Sequence, residues 1–397
     1  MSDDSTADAG QAPRFHPLVG AWIVTRHADA VSVLGNPDLF SSRAAFAGSF
    51  QQLGCPADIA ERLEEIVPAG TPQLVASDRP EHGFLRPLAT RLFTTARIEA
   101  YRPIVRDLAE RLADSLAGPG PVDLHSRFAI PFSARAVLRV LGIEADRAPE
   151  VEALAASASL LFFVALDEPA KRRSAEALLA LEEELAALLD SRTAAPRDDL
   201  TSALARANAA ESAPLKRAQL IQLLLDMAFA GTDPVATVLS SFLLRLLATG
   251  GAWRRAAETP ESIGSFIEEA VRLANGLRGI ARQPVRDTEV GGVGIAAGDT
   301  ILVMPGPVNR DAAVFPDPGN ICPGRAGARL HVGFGYGIHY CVGAPLGRLD
   351  LELALTALLE RFPDMKLWPA QPVAFTRVPL LTQVGRLLVE PGPRRGG

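Results

Sequence analysis

Residues 21–26, A-W-I-V-T-R, form an extended β-type run, and residues 29–34 read as a short helix ended by Gly35-Asn36-Pro37. Residues 41–76 mix Phe46 and Phe50 with Gly48, Gly54, Gly70, Pro56, Pro68 and Pro72. That mixture predicts a long irregular segment with at most one helix, and structured segments of this kind are usually functional. From 81 to 116 apolar residues recur at helical spacing, and residues 172–192 are strongly amphipathic. Residues 215–247 are too apolar for a surface helix and are expected to run through the core. Residues 262–274 predict a further helix. Short strands are expected over 280–303, with turns at Gly291-Gly292 and Gly298-Asp299, and coil over 304–340. A last long helix starts just after Cys341 and runs to about residue 361, before short strands return. No internal repeat or clean linker divides the chain. The pattern predicts a disordered tail at 1–12 and one mainly α domain with small β sheets over 13–397.

Composition supports this picture. Hydrophobic residues make up 48% of the 397 and aromatics 6%, and Ala and Leu, both strong helix formers, are abundant. The formal net charge of −6 argues against a nucleic-acid binder, which carries a basic surplus or stripe. Cys55, Cys322 and Cys341 form no CxxC pair and no zinc spacing. An odd number argues against a disulfide framework and for a reducing cytoplasm. The opening M-S-D-D-S-T-A-D-A-G is polar and acidic rather than signal-like. No unbroken apolar run reaches the ~18 residues that span a bilayer. The expected setting is cytoplasmic, with a small-molecule substrate and no nucleic-acid or membrane partner.

The candidate chemistry lies in F-G-Y-G-I-H-Y-C-V-G, from Phe334 to Gly343. A Gly-rich coil delivers one Cys to the start of a long helix, where backbone N–H groups stabilise a thiolate. Gly335 and Gly337 are read as leaving room for a flat ligand beside the backbone. A lone Cys is more often a small buried hydrophobe, and Cys55 and Cys322 are read that way. The ten-residue string resembles the haem-ligand loop of the cytochrome P450 family, F-x-x-G-x-x-x-C-x-G, at Phe334, Gly337, Cys341 and Gly343. The resemblance implies the family's single α-rich domain, with heme b (iron protoporphyrin IX) between the long core helix and the helix after Cys341. Cys341 would be its thiolate ligand, pushing electron density towards oxygen.

The resemblance extends over nearly the whole chain from about residue 14. Glu269 and Arg272 resemble the family's E-x-x-R pair, with Arg325 standing where a second Arg joins them. Spacing alone leaves Glu268 as an alternative partner of Arg272. His82 and Arg86 resemble the H-x-x-x-R helix start, and Arg282 and His339 match further family positions. By resemblance these four hold the two haem propionates, since Arg pairs well with carboxylates. Asn309-Arg310-Asp311 resembles a further family segment to which no chemistry is assigned.

The chain departs from the pattern in its core helix. Ala230-Gly231-Thr232-Asp233-Pro234 resembles the oxygen-activation motif A-G-x-[DE]-T, with the acid kept as Asp233 and the Thr replaced by Pro234. That Thr helps deliver protons in the family. Proline lacks an N–H and clashes with the carbonyl four residues back, so a kink is expected with the Ala230 carbonyl free. Thr232 and Thr237 lie at other helical angles. By resemblance, substrate contacts fall at 42–76, 160–166, 227–233, 276–280 and 378–381, with Phe46, Phe229, Ala230, Leu277 and Leu380 as candidates. These are mainly apolar and imply a hydrophobic organic substrate.

Three functions follow. The first is a monooxygenase using O2 and electrons from an external redox partner, a ferredoxin and ferredoxin reductase. The second, motivated by Pro234, is a haem-thiolate enzyme of atypical outcome: oxidative coupling, dehydration or peroxide-driven oxidation. The third is a non-catalytic haem-binding protein. An arginine series, Arg86, Arg91, Arg97, Arg102, Arg106 and Arg111, is a candidate docking face for an acidic ferredoxin.

Overall fold

The computed structural model describes residues 9–43, 54–163, 165–274, 277–369, 375–377 and 382–394, the side chains of 163, 375–377, 382 and 383 excepted. It is mainly helical. Helix Arg217–Ala248 runs through the interior and packs against Ile130–Leu141, Glu168–Ala194, Ile263–Leu273 and Ala344–Arg361. Its apolar residues interdigitate with theirs in one large core, and burial on that scale is the main force holding helices together. Gly231 marks the tightest approach: a Cβ there would lie 2.6 Å from Val137 Cγ2 on Ile130–Leu141. By length and composition the same helix could cross a bilayer, but 61% of its apolar window is buried inside the protein. It is one long apolar helix where no unbroken apolar run was expected to be long enough.

The main sheet has five strands in the order Arg14–His16, Ala21–Val24, Ile301–Val303, Ile280–Pro284, Phe40–Ser41. Ala21–Val24 and Ile301–Val303 are parallel, in register Trp22↔Ile301, and the other pairs are antiparallel. A second, smaller core lies between this sheet and helix His27–Gly35. The sheet matters for the site because Ile280–Pro284 carries Arg282 inward, where it is 4% exposed.

Most elements fall where the pattern places them. The run over 81–116 is three helices, Glu81–Leu92, Thr95–Ala100 and Arg102–Asp114, because Thr94 caps the second and Pro103 starts the third. The irregular segment holds a helix at Ala57–Ile66 and a 3-10 turn at Leu74–Ala76. Residues 304–340 are coil with short helical turns. Gly10, expected within the disordered tail, is tied to the fold: its N–H bonds the Thr25 carbonyl at 3.2 Å and the Arg26 Nε reaches its carbonyl.

Candidate functional site

The loop before helix Ala344–Arg361 is built around Cys341. The Cys341 N–H donates to the Phe334 carbonyl at 2.7 Å, folding the loop back on itself. The residue is open on one side, but its thiol sits deep, and loss of water raises its pKa. The N–H groups of Gly343 and Ala344 donate to the sulfur and oppose that rise, as do the nearby charges of Arg86 and Arg348. A helix N-terminus holding a thiolate is the expected physics. Phe334 packs beneath Arg348, its ring 4.6 Å from the guanidinium carbon.

Gly337 departs from its expected role. It has φ +70°, and a Cβ would lie 2.5 Å from the Leu34 carbonyl oxygen. The glycine is needed for a left-handed turn pressed onto helix His27–Gly35, which leaves no space there for a flat ligand. Gly335, at φ +72°, is likewise a turn residue.

His82, Arg86, Arg282 and His339 converge. The His82 and His339 rings are 4.5 Å apart. The Nε2 atom of each is buried with no hydrogen-bond partner. Burial, then Arg86 and Arg79, holds the His82 pKa low. Burial, then Arg282 and His82, pushes His339 down to about 3. Burial also brings Arg282 down to about 10 and lowers Arg86. Asp78 is the one anion that acts on His82, Arg282 and His339, and it leaves both Nε2 atoms without a partner. Two carboxylates of one ligand would satisfy both orphan nitrogens and both guanidinium groups. The propionates of the porphyrin implied by the sequence have that chemistry, and the residues fit the group.

Beside the Cys loop, helix Ile263–Leu273 anchors the preceding coil. Arg272, fully buried, donates to Glu269 through Nε at 2.7 Å and Nη2 at 2.9 Å. It also reaches the carbonyls of Asn309, Pro318 and Asn320. Arg325 joins Glu269 at 3.2 Å, and the Cys322 N–H joins it at 2.8 Å. Glu269 is therefore the partner of Arg272. Glu268 does separate work: it accepts from Arg348 Nε at 2.7 Å and lies 3.2 Å from His331 Nε2. Burial opposes its charge most, yet bonds from His331 and Arg348 overcome that and hold it at about 2. Asn309-Arg310-Asp311 is structural. The Asn309 side chain bonds the Arg272 carbonyl and the Val332 N–H, and Asp311 takes the His27 N–H. His331 and Arg348 went unnoticed in the sequence; seven residues after Cys341 is two helical turns, the one signal pointing to Arg348.

On the opposite side lies the core helix. It continues as one helix on both sides of Pro234. Ala230 is exposed although it sits mid-way along this core helix, so it faces an internal chamber. Burial raises the Asp233 pKa. The Thr232 hydroxyl is committed to the Ala228 carbonyl at 2.8 Å, whereas Thr237 Oγ1 is buried with no partner. Phe229 meets Phe162 edge-on at 5.4 Å. Leu277 is partly exposed at the entry to the main sheet. Phe46 and Leu380 lie outside the described residues, as do 44–53, 164, 275–276 and 378–381 of the expected contact segments.

Three of the six arginines in the series are spent on internal ion pairs. Arg102 binds Glu99 at 2.6 Å and Glu352 at 2.7 Å; Arg91 pairs with Glu211 and Arg111 with Asp107. This face is less basic than the series alone implies.

A model of the family described as Cytochrome P450 matches residues 263–376. The chain is 33% identical over 359 residues to the Mycinamicin IV hydroxylase/epoxidase of Micromonospora griseorubida, spanning 89% of this chain and 85% of that one. It is 32% identical over 350 residues to the Nocardicin C N-oxygenase of Nocardia uniformis subsp. tsuyamanensis, spanning 87% and 83%. The crystal structure of the Tepidiphilus thermophilus P450 heme domain shares the fold at TM-score 0.87 and 24% identity, over 96% of this chain and 92% of that one.

Proposed function

This chain belongs to the cytochrome P450 family of haem-thiolate monooxygenases, and we propose that it oxidises a hydrophobic small organic molecule, a natural-product intermediate, with Cys341 holding the haem iron. The observation that carries the assignment is the pair of orphan imidazole nitrogens beside Arg86 and Arg282, with Arg86 near enough to interact with the Cys341 sulfur. When bound, the haem supplies the reductive activation of O2. The chain's own residues set the conditions. The N–H groups of Gly343 and Ala344 favour negative charge on the Cys341 sulfur against the burial that raises its pKa, and Cys341 would hold the iron as its thiolate. His82, Arg86, Arg282 and His339 bind the propionates. Phe229, Ala230 and Leu277, with Phe46 and Leu380, contact the substrate and exclude water. Asp233 holds and exchanges a proton beside Pro234, which offers no hydroxyl.

Electrons come from a ferredoxin and its reductase. The relatives' names, a Mycinamicin IV hydroxylase/epoxidase and a Nocardicin C N-oxygenase, support a natural-product substrate. Three free cysteines support a cytoplasmic setting.

The test is the reduced protein with carbon monoxide. It should show the red-shifted band of thiolate-ligated haem, and Cys341→Ser should abolish it. Retention of the band in Cys341→Ser, with loss in Cys322→Ser, overturns the assignment.

One observation favours a second reading. With the 234 hydroxyl absent and that of Thr232 committed to the Ala228 carbonyl, proton supply depends on the substrate or a held water. Oxidative coupling, dehydration or peroxide-driven oxidation then becomes the outcome. Product formed at least as fast with peroxide alone as with O2 and reductant would establish it.

A further inference from the structure

Asp226 lies in the core helix seven residues, two turns, before Asp233 and four before Ala230, so the three share one face. Ala230 shows that this face opens onto the chamber. At the other end of the stripe Asp226 meets the chamber's covering segment: the N–H of Leu74, in the 3-10 turn Leu74–Ala76, donates to its carboxyl. Val75 in the same turn is 46% exposed, and Leu160, on the helix that carries Phe162, is 40% exposed.

The carboxyl is only half satisfied. Gln222 Nε2 donates to Oδ1 at 2.7 Å, while Oδ2 is buried and meets no donor. An acceptor left this way is costly and is kept where something else supplies the donor. No cation acts on this carboxyl, and burial pushes its pKa up to about 7. Asp233, on the same stripe, is a second buried acid raised by burial alone. Asp226, its charge disfavoured by burial and its Oδ2 unmet, gains most from a partner that brings both a donor and a positive charge.

We propose that Asp226 is a specificity-determining residue that binds a protonated amine on the substrate, pairing Oδ2 with its N⁺–H donor. The inference rests on the monooxygenase reading and names the substrate class of the same chamber. The pair forms away from water, where a charge-assisted hydrogen bond is strong. It holds the substrate at the Leu74 end of the stripe and leaves the carbon frame over Ala230 and Asp233. A carboxylate-bearing substrate of the same shape is excluded.

The test uses the haem-loaded enzyme and three probes of one chain length: N,N-dimethyldodecylamine, 1-dodecanol and dodecanoate, each below its micelle concentration. Affinities are read by titration calorimetry, which does not depend on the haem spectrum. The parent should prefer the amine over the alcohol by on the order of ten-fold or more, with dodecanoate weakest. Asp226→Asn keeps an acceptor for Leu74 and size for Gln222; it should bring the amine down to the alcohol and leave the alcohol unchanged. No amine preference in the parent, or a preference that survives Asp226→Asn, overturns the proposal. So does equal weakening of amine and alcohol, which assigns Asp226 to holding the 74–76 turn alone. The carbon monoxide band is measured on every sample. Its absence condemns the haem-thiolate reading, whereas its presence with a flat probe series condemns only the role of Asp226.

Discussion

Two regions face each other across the expected haem and treat buried charge in opposite ways. In the anchor of the Cys341 loop, around Glu268 and Glu269, buried charges are matched. Arg272 has Glu269 and three carbonyls, and Glu268 has His331 and Arg348. On the core-helix side, Asp226 and Asp233 are raised by burial and no cation acts on them. The difference separates the work of the two halves. The anchor of the Cys341 loop is finished when the chain folds. The other is left incomplete, to be finished by what enters.

The largest effect should follow from breaking the finished half. Glu269→Ala strands Arg272 in a fully buried position; losing one partner of such a pair costs about 3–5 kcal/mol. Melting temperature and haem content should both fall sharply. A stable, fully loaded Glu269→Ala protein would refute the matched-charge account.

Asp233→Asn, in the unfinished half, should invert that pattern. O2-driven turnover should drop by on the order of 10²-fold, while the melting temperature holds or rises, because a desolvated acid has been removed. Parallel measurement of turnover and melting decides it.

Stability against pH sharpens the contrast. Glu268 is held at about 2, below the ordinary carboxylate range, so its contribution is present at neutral pH and is lost as pH falls from about 4.5 towards 2. Asp226, raised to about 7, works the other way: its contribution is full in acid and is lost as pH rises from about 4 through 7. Each should change stability by on the order of 1 kcal/mol per unit of pH within its window. Denaturant titrations should show Glu268→Gln flattening the acid limb and Asp226→Asn the neutral limb. The same slopes in parent and variants would count against these assignments.

The smallest effect concerns Pro234. Pro234→Thr should raise product per reductant consumed with poor ligands and change little with the native one. Tight coupling of the parent with any ligand, and no response to the substitution, would leave Pro234 as a helix irregularity only.

What the sequence made readable follows the same division. Cys341, the Glu269–Arg272 pair and the His82–Arg86 pair stand at fixed short spacings, and such local geometry survives in a string of letters. The long helices were legible from their period. Helices Ile130–Leu141 and Ala148–Phe163 were not picked out; the second combines an apolar C-terminal turn with little amphipathic contrast, so its period gives a weak signal, whereas the first is strongly amphipathic and was legible. The Glu268–Arg348 bond joins residues 80 positions apart, and the Gly337 turn is dictated by the Leu34 carbonyl. Neither has a local signature. An acceptor without a donor, as at Asp226, is a property of surroundings and has no sequence form at all.

Arg272 also bears on how the coil moves. Its guanidinium gathers carbonyls from residues 309, 318 and 320, while its acid partner takes the 322 N–H and Arg325. A stretch with little regular structure is thus closed into loops of a few residues by one side chain on a helix. Short closures remove chain entropy that a free loop would keep. Amide hydrogens in this coil should then exchange in one cooperative unit with helix Ile263–Leu273, at protection closer to a helix interior than to a surface loop.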